Sequence, residues 1–347
     1  MNHADQAEPR DEEVLEGRPT PDERAARNPY LTFPLRAGAG LAVVAFLLWH
    51  YDARPVLQTL GRERSVYFIA AVALFLTGQL ISSLRWRLLG KIAGLDAPFR
   101  EYLTYYFIGM FTNVFVPGLV GGDAARAIYL GRRNNRLAAA VASVVADRGV
   151  GLLALFWLAA AAAAMGAGSR IPHSVSVTTI GIGIALLAGY VAMIAAAGPA
   201  ERFVERMIER LPARFAHSLS TVRPYLRRPM ALMPALGLSM LVQVTLVICQ
   251  WLLALGLGLD VPLGLFMLCV PVANVFASLP ITLNGLGVRE TAYLMLLGTA
   301  GVAHHNAIAL GLLWFVATAL GNFTGVIAFI FTDAPQLRES GVGRTSP

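Results

Sequence analysis

The stretch FTNVFVPGLVGGDAARAIYL, residues 111–130, constrains the fold of this chain more than any other. It opens as apolar membrane sequence, breaks at Pro117-Gly118 and again at Gly121-Gly122, then resumes as a helix bearing Asp123 and Arg126. A broken backbone in hydrocarbon leaves N–H and C=O groups without partners, so it persists only where protein buries it or a wet cavity receives it. Residues 273–296, ANVFASLPITLNGLGVRETAYLML, repeat the theme. Asn-Val-Phe begins at Asn274 as it does at Asn113, and a proline follows each, Pro280 and Pro117; Gly285, Gly287 and the Arg289-Glu290 pair come next. Two interrupted, charged segments at matching places in two halves of a chain point to a transporter binding site.

The rest of the chain has the apolar character this requires. Hydrophobic residues make up 56% and charged residues 14%, with a mean hydropathy of +0.60, which places it among polytopic all-α membrane proteins. The net charge of +7 raises the question of nucleic acid. The basic residues, however, fall between apolar runs, where they act as topology signals and contact anionic lipid, so no nucleic-acid partner is expected. Cys249 and Cys269 lie inside apolar runs and supply neither a disulfide framework nor metal-ligand spacing. His304-His305 cannot share a helix face. With no nucleophile–base spacing and no phosphate-binding loop either, the sequence predicts no catalytic residue, no metal and no cofactor, and a protein that is not an enzyme.

Residues 1–33 are polar, lack apolar periodicity and read as a disordered cytoplasmic tail. No signal peptide is visible ahead of the first apolar run, which starts near Pro34 and ends at Trp49 and Tyr51. Span two runs from Ser65 to Leu84 and stops at the basic RWRLLGK, which reads as a cytoplasmic end. The first broken stretch is flanked by Arg85, Arg87, Lys91 and Arg100 before and Arg132, Arg133 and Arg136 after. Both ends then face the cytoplasm, and arms of roughly 13 to 17 residues are too short to cross, so the segment is expected to be a re-entrant hairpin. Span three (137–165) carries Asp147-Arg148, and span four (175–197) returns. Residues 198–229 read as a basic amphipathic connector on the inner leaflet. Span five (229–255), the second broken stretch (262–300) and span six (303–331) complete a domain over residues 34–332; a short tail, 333–347, follows. Arg54, Arg62 and Arg64 run against this topology, since they fall in a loop that should be external. The count is about six full spans and two hairpins opening from opposite sides, an inverted repeat with both termini cytoplasmic.

A charge near the bilayer centre costs at least about 2.5–3.5 kcal/mol, so each needs a reason. Asp123, following two glycines, is placed to cap the half-helix and to pair with Arg126 one turn on. The same half-helix and Arg126 can at the same time hold an anionic group, most naturally a phosphate, because a capping Asp also fixes the orientation of the Arg. Asp147-Arg148 lies about 15 Å into span three. Adjacent residues do not face each other, so each seeks partners among Asp123, Arg126, Arg289 and Glu290. This set is either a structural ion network or the lining of a headgroup cavity, and the cost of a dry core favours the cavity. Arg289-Glu290 opens a half-helix that Asn284 or Thr282 could cap. Asn113 and Asn274 are secondary members that satisfy free backbone groups. Gln79, Gln243 and Gln250 are expected to bond between helices.

The same residues carry a family resemblance. RWRLL, then the G.F.N.F.PG..GGD..R pattern, then AAA.AS.V.DR..GL and P…N.LGVRE resemble the flippase-like membrane region of lysylphosphatidylglycerol synthases, over about residues 35–331. The resemblance implies a domain that carries aminoacylated or glycosylated lipids across the bilayer. It aligns Pro117, Gly121, Gly122, Asp123, Arg126, Asp147, Arg148, Gly285, Gly287, Arg289 and Glu290 with the family's motifs. Only Asp333–Pro347 follow span six, which implies a stand-alone member without the soluble aminoacyl-transferase domain. The expected function is thus a flippase of the bacterial inner membrane, binding an anionic phospholipid or polyprenyl-phosphate headgroup. The alternatives are a membrane-embedded lipid-linked glycosyl or acyl transferase, or a scaffold of a lipid-synthesis complex. Expected partners are membrane lipids, with a lipid-synthesis or glycosyltransferase protein and a second copy of the chain as further options.

Overall fold

The computed structural model describes residues 41–115, 120–167, 169, 171–196, 202, 206, 221–277 and 285–330. The tails, the Pro117-Gly118 and Pro280 breaks, Thr282, Asn284 and most of the 198–229 connector lie outside them. Regular structure among the described residues is helical. Five helical stretches are long and apolar enough to cross a membrane. They are α3 (Ser65–Ile92), α6 (Leu137–Ala164), α7 (His173–Ala195), Pro229–Gly256, which is a 3₁₀ turn leading into α9 (Met233–Gly256), and His304–Ile330, which comprises α12 (His304–Phe323) and α13 (Gly325–Ile330).

The expected first span is the exception. Its described part, α1 (Leu41–His50), is too short by itself to cross, and a second short helix, α2 (Ala53–Leu60), follows at once. Asp52 turns the chain between them with φ at 63°, and its carboxylate accepts the Arg54 N–H at 3.0 Å. Arg54 therefore sits at a helix start rather than in an open loop.

Helices α3 and α9 lie antiparallel along their length. The Arg64 N–H donates to the Gly256 carbonyl at one end, Gly78 meets Thr245 in the middle, and Tyr225, in the short helix α8 (Arg223–Arg227), donates to the Leu89 carbonyl at the other. Gly78 lets the two backbones approach, as small residues do between membrane helices. Helix α6 crosses both: Trp86 Nε1 donates to Ser143 Oγ, and Gln243 Nε2 to the Gly151 carbonyl. In α6 and α9 half or more of the apolar window is buried, against about a fifth in α3, α7 and α12, so α6 and α9 form the centre. The outer apolar faces, including Ile69, Val145, Ile184 and Ile327, are exposed, as lipid-facing residues must be. Gln250 bonds within its own helix, to the Leu246 carbonyl, and not between helices as expected.

The helical arms of both expected hairpins are present. The first pairs α4 (Phe99–Phe115) with α5 (Val120–Asn134), and its two ends are tied together beside the C-terminus of α3. Asn134 accepts the Asp96 N–H at 3.0 Å, Arg133 pairs with Glu101 at 3.0 Å, and Arg136 donates to the Gly94 carbonyl at 2.9 Å. A segment whose ends meet in this way enters and leaves on one side. The second hairpin, α10 (Leu263–Ala277) and α11 (Val288–Thr299), connects the C-terminus of α9 to the N-terminus of α12. That is the opposite side: Gly256 contacts Arg64 before α3, and Asn306 accepts from Thr59 of α2. The hairpins are thus inverted relative to one another.

Two details of the breaks differ from expectation. Gly121 and Gly122 are not a break, since α5 already begins at Val120. The glycines serve close approach instead: a Cβ on Gly122 would collide with the Gly109 carbonyl and the Asn113 amide. Asn113 Oδ1 accepts the Gly122 N–H at 2.8 Å, which satisfies one of the orphan donors of the first helical turn. In the second hairpin the glycine break is real. Gly285 and Gly287 have φ of 75° and 84°, a region that L side chains rarely adopt. Pro271 lies inside α10, where it removes one backbone donor.

Candidate functional site: a graded chain of ion pairs

Four helices meet at a line of charges that alternates in sign. From α3, Arg85 Nε donates to Asp147 Oδ1 of α6 at 2.7 Å, and its Nη1 donates to Ser239 Oγ of α9 at 3.1 Å. The other oxygen of Asp147 accepts from Arg126 Nη1 of α5 at 3.0 Å. Arg126 also grips Asp123 one turn earlier, Nη2 to Oδ1 at 2.9 Å. Asp123 in turn takes a two-pronged contact from Arg148 of α6, with Nε to Oδ2 at 2.7 Å and Nη2 to Oδ1 at 2.9 Å. The order is Arg85, Asp147, Arg126, Asp123, Arg148.

Helix geometry explains why two neighbours hold separate partners. Asp147 and Arg148 are successive residues, about 100° apart around α6. Asp147 therefore points among α3, α5 and α9, while Arg148 points outward to the start of α5. The Arg126 guanidinium is sandwiched as well, with its Cζ 5.1 Å from both the Trp86 and the Tyr106 ring centroids. Such faces attract a desolvated cation by about 2 kcal/mol. Burial falls from the middle of the chain toward one end: side-chain exposure is 8% at Arg85, 2% at Asp147 and 4% at Arg126, then 17% at Asp123 and 44% at Arg148. One end is closed and the other reaches the surface.

This arrangement brings together four residues expected from sequence, Asp123, Arg126, Asp147 and Arg148. Asp123 does not cap α5. It lies within the first turn and acts as an ion-pair partner. Glu290 sits elsewhere, fully buried on the second hairpin, with Oε2 accepting the Gly287 N–H and its stem against Gly311 of α12. Glu290 thus closes the first turn of α11 on its N-cap residue, Gly287; the expected caps Asn284 and Thr282 lie outside the described residues. Arg289 is half-buried beside it, and Asn274 is half-buried near the end of α10.

Arg85 is the member that sequence reasoning misplaced, as a topology signal at a cytoplasmic end. It is 6% exposed. The signal was available in the spacing: Gly78, Ser82, Arg85 and Leu89 fall at helical intervals on one buried stripe of α3, which runs on to Ile92. Only Arg87 and Lys91, off that stripe, behave as the basic stop.

Comparison with known proteins agrees with this architecture. The chain is similar to a UPF0104 membrane protein of Methanothermobacter thermautotrophicus, 24% identical over 297 residues, covering 76% of this chain and 84% of that protein. It is also similar to a UPF0104 membrane protein of Pyrococcus horikoshii, 28% identical over 112 residues, covering 31% of this chain and 33% of the relative. The profile of the lysylphosphatidylglycerol synthase TM region matches residues 35–324, which contain both hairpins and all five members of the ion chain. The chain therefore belongs to the lysylphosphatidylglycerol synthase transmembrane-region family.

Proposed function

We propose that this protein is a lipid translocator that receives an anionic headgroup at the Arg148 end of the ion chain. One observation carries the reading: the cluster holds three arginines against two aspartates, so it is formally one positive charge in excess. A closed structural network inside a membrane would be expected to balance, because an uncompensated buried charge is costly. An excess cation whose outermost member is nearly half exposed suits a phosphate that arrives from outside the network. Arginine favours this ligand, since its planar fork bonds two phosphate oxygens at once. The acyl chains stay in the bilayer while the headgroup moves. The second hairpin, inverted relative to the first, carries the half-buried Arg289 as its counterpart on the opposite side, the symmetry that alternating access uses. The bacterial inner membrane, with both termini in the cytoplasm, fits the distribution of basic residues.

The test is movement of a fluorescent short-chain phosphatidylglycerol between leaflets of liposomes carrying purified protein. Wild type should accelerate the movement, Arg148→Gln should slow it by about tenfold or more, and Arg148→Lys should keep part of the rate. Equal rates for wild type, Arg148→Gln and protein-free liposomes would end the translocator reading.

A further inference from the structure

The second hairpin carries an acid that the ion chain does not use. Glu290 has no exposed surface, and among the described residues it forms no ion pair. Its two carboxyl oxygens stand in different surroundings. Oε2 accepts the Gly287 N–H, whereas Oε1 has no hydrogen-bond partner among the described residues. Oε1 lies instead over Gly311 of α12, where a Cβ would come within 2.9 Å of it. One turn on, the equally buried Tyr293 hydroxyl is also without a hydrogen-bond partner among the described residues. Buried polar atoms are nearly always paired. Two unpaired ones on one face of a helix point to something that the protein's own groups do not supply.

The charged and titratable groups around this carboxyl are few. On α11 they are Arg289 and Tyr293. Arg289 is the neighbouring residue, so it leaves the helix about 100° away, and it holds interactions of its own. Helix α10, packed on α11, contributes Cys269, the one titratable residue in its sequence. Helix α12, packed on the other arm face, contributes His304 and His305, and His304 lies against Gly298, about 12 Å along α11 from Glu290. No described cation is thus bonded to a carboxyl that is sealed from solvent. An ionised carboxylate held in this way is far more unfavourable than the neutral acid, and the simplest compensating ion is a proton.

We propose that Glu290 is a proton-binding site: Oε1 carries a proton while α11 is packed on α12, and gives it up to water when α11 moves away from Gly311. The step is a plain acid dissociation, in which the O–H bond breaks and the proton passes to a water molecule. Water reaches Oε1 only if the contact between α11 and α12 opens, so proton release and loosening of the hairpin are one event. Gly285 and Gly287, with φ of 75° and 84°, supply the backbone break about which α11 turns. Proton binding is read without any movement of lipid, so its failure would leave the translocator reading standing.

The test uses the full chain in phosphatidylcholine nanodiscs, with the proton itself as the probe. An infrared spectrum at neutral pH reports a protonated carboxyl by its C=O stretch, which ordinary exposed carboxylates do not give there. The reference is Glu63→Gln, because burial pushes the Glu63 carboxyl up to about 7 and it would add a band of its own. The reference should show the band, and adding Glu290→Gln, which keeps the shape of the neutral acid, should abolish it. Hydrogen–deuterium exchange then reads the hairpin. From mildly acidic to mildly alkaline pH, exchange in α11 relative to α6 should rise by about tenfold or more in the reference, and by less than about twofold once Glu290→Gln is added. Gly311→Ala gives a second line, since its Cβ would press on the carboxyl and should shift the band. A glutamate that only closed the first turn of α11 would be ionised and give no band. The proposal is overturned by a reference without the band, by a band that survives Glu290→Gln or stays unshifted in Gly311→Ala, or by α11 exchange that depends on pH equally with and without Glu290→Gln.

Discussion

Replacing Asp147 with Asn removes the one negative charge that lies between two buried guanidiniums. In the wild type its carboxylate accepts from Arg85 at 2.7 Å and from Arg126 at 3.0 Å, and all three side chains are at most 8% exposed. Breaking a buried pair by deleting one partner typically costs about 3–5 kcal/mol, because the remaining charge is left without compensation. Two factors place this case at the lower end. Asn still accepts one hydrogen bond, and Arg126 keeps Asp123 as a second counter-ion. Polar contacts inside membranes are also worth less than isolated-pair reasoning suggests, since the unfolded chain in lipid finds partners of its own. A loss of about 3 kcal/mol then remains, a fall in Tm of roughly 6–12 °C on the scaling for large domains. Intrinsic tryptophan fluorescence of detergent-purified protein, heated at one scan rate, reads this directly. Arg148→Gln is the internal comparison, as its side chain is 44% exposed and its loss should cost no more than about 1 kcal/mol. A double variant, Asp147→Asn with Arg85→Gln, should recover part of the loss, because the stranded cation is removed as well. If Asp147→Asn melted within about 2 °C of wild type, the carboxylate would not be holding the two cations together, and the ion chain would not be the keystone of the four helices.

Four further outcomes follow from local surroundings. Gly122→Ala should destabilise by about 1–3 kcal/mol, since its Cβ would be driven into the Gly109 carbonyl and the Asn113 amide of the facing arm. Gly149→Ala, with open space around its Cβ, should be neutral or slightly stabilising in the same melting assay. Gly287→Ala should cost about 1–2 kcal/mol, because φ at 84° strains any side chain there, and limited proteolysis near the start of α11 should accelerate. Glu63, in the turn before α3, has its carboxyl pushed up to about 7 by burial against Gly256. A folded-state pKa raised above the unfolded value means that the native state holds the proton more tightly. The contribution of Glu63 to stability is then fullest below about pH 4.5 and is lost as pH rises through about 7. The difference in Tm between pH 5 and pH 8 should shrink in Glu63→Gln, and an unchanged difference would assign the pH dependence to other groups.

Much of the architecture was legible in the residue order. Apolar runs of crossing length, broken twice and divided by basic clusters, identify a polytopic helical bundle with two re-entrant segments. This follows because hydrocarbon leaves a chain few other ways to satisfy its backbone. The pairing of Asp123 with Arg126 was readable as well, since residues one turn apart on a helix must be neighbours. The need of Asp147 and Arg148 for separate partners was readable for the converse reason. Where those partners lie was not. Whether Arg85 stops a helix in water or stands in the middle of a bundle depends on which face of α3 meets α6 and α9, and charge counting has no access to that. Gly121-Gly122 gave a similar ambiguity: a glycine pair signals both a break and a close approach, and only the facing Gly109 carbonyl and Asn113 amide distinguish them. The closure around Glu290 joins residues from different helices, so it exists only once α12 has laid Gly311 against the carboxyl. Sequence alone determined that charges must be buried in this membrane protein and on which helices they stand. The tertiary structure decided which of them meet, because ion pairing inside a bilayer depends on distances of a few ångströms that only the packing of helices sets.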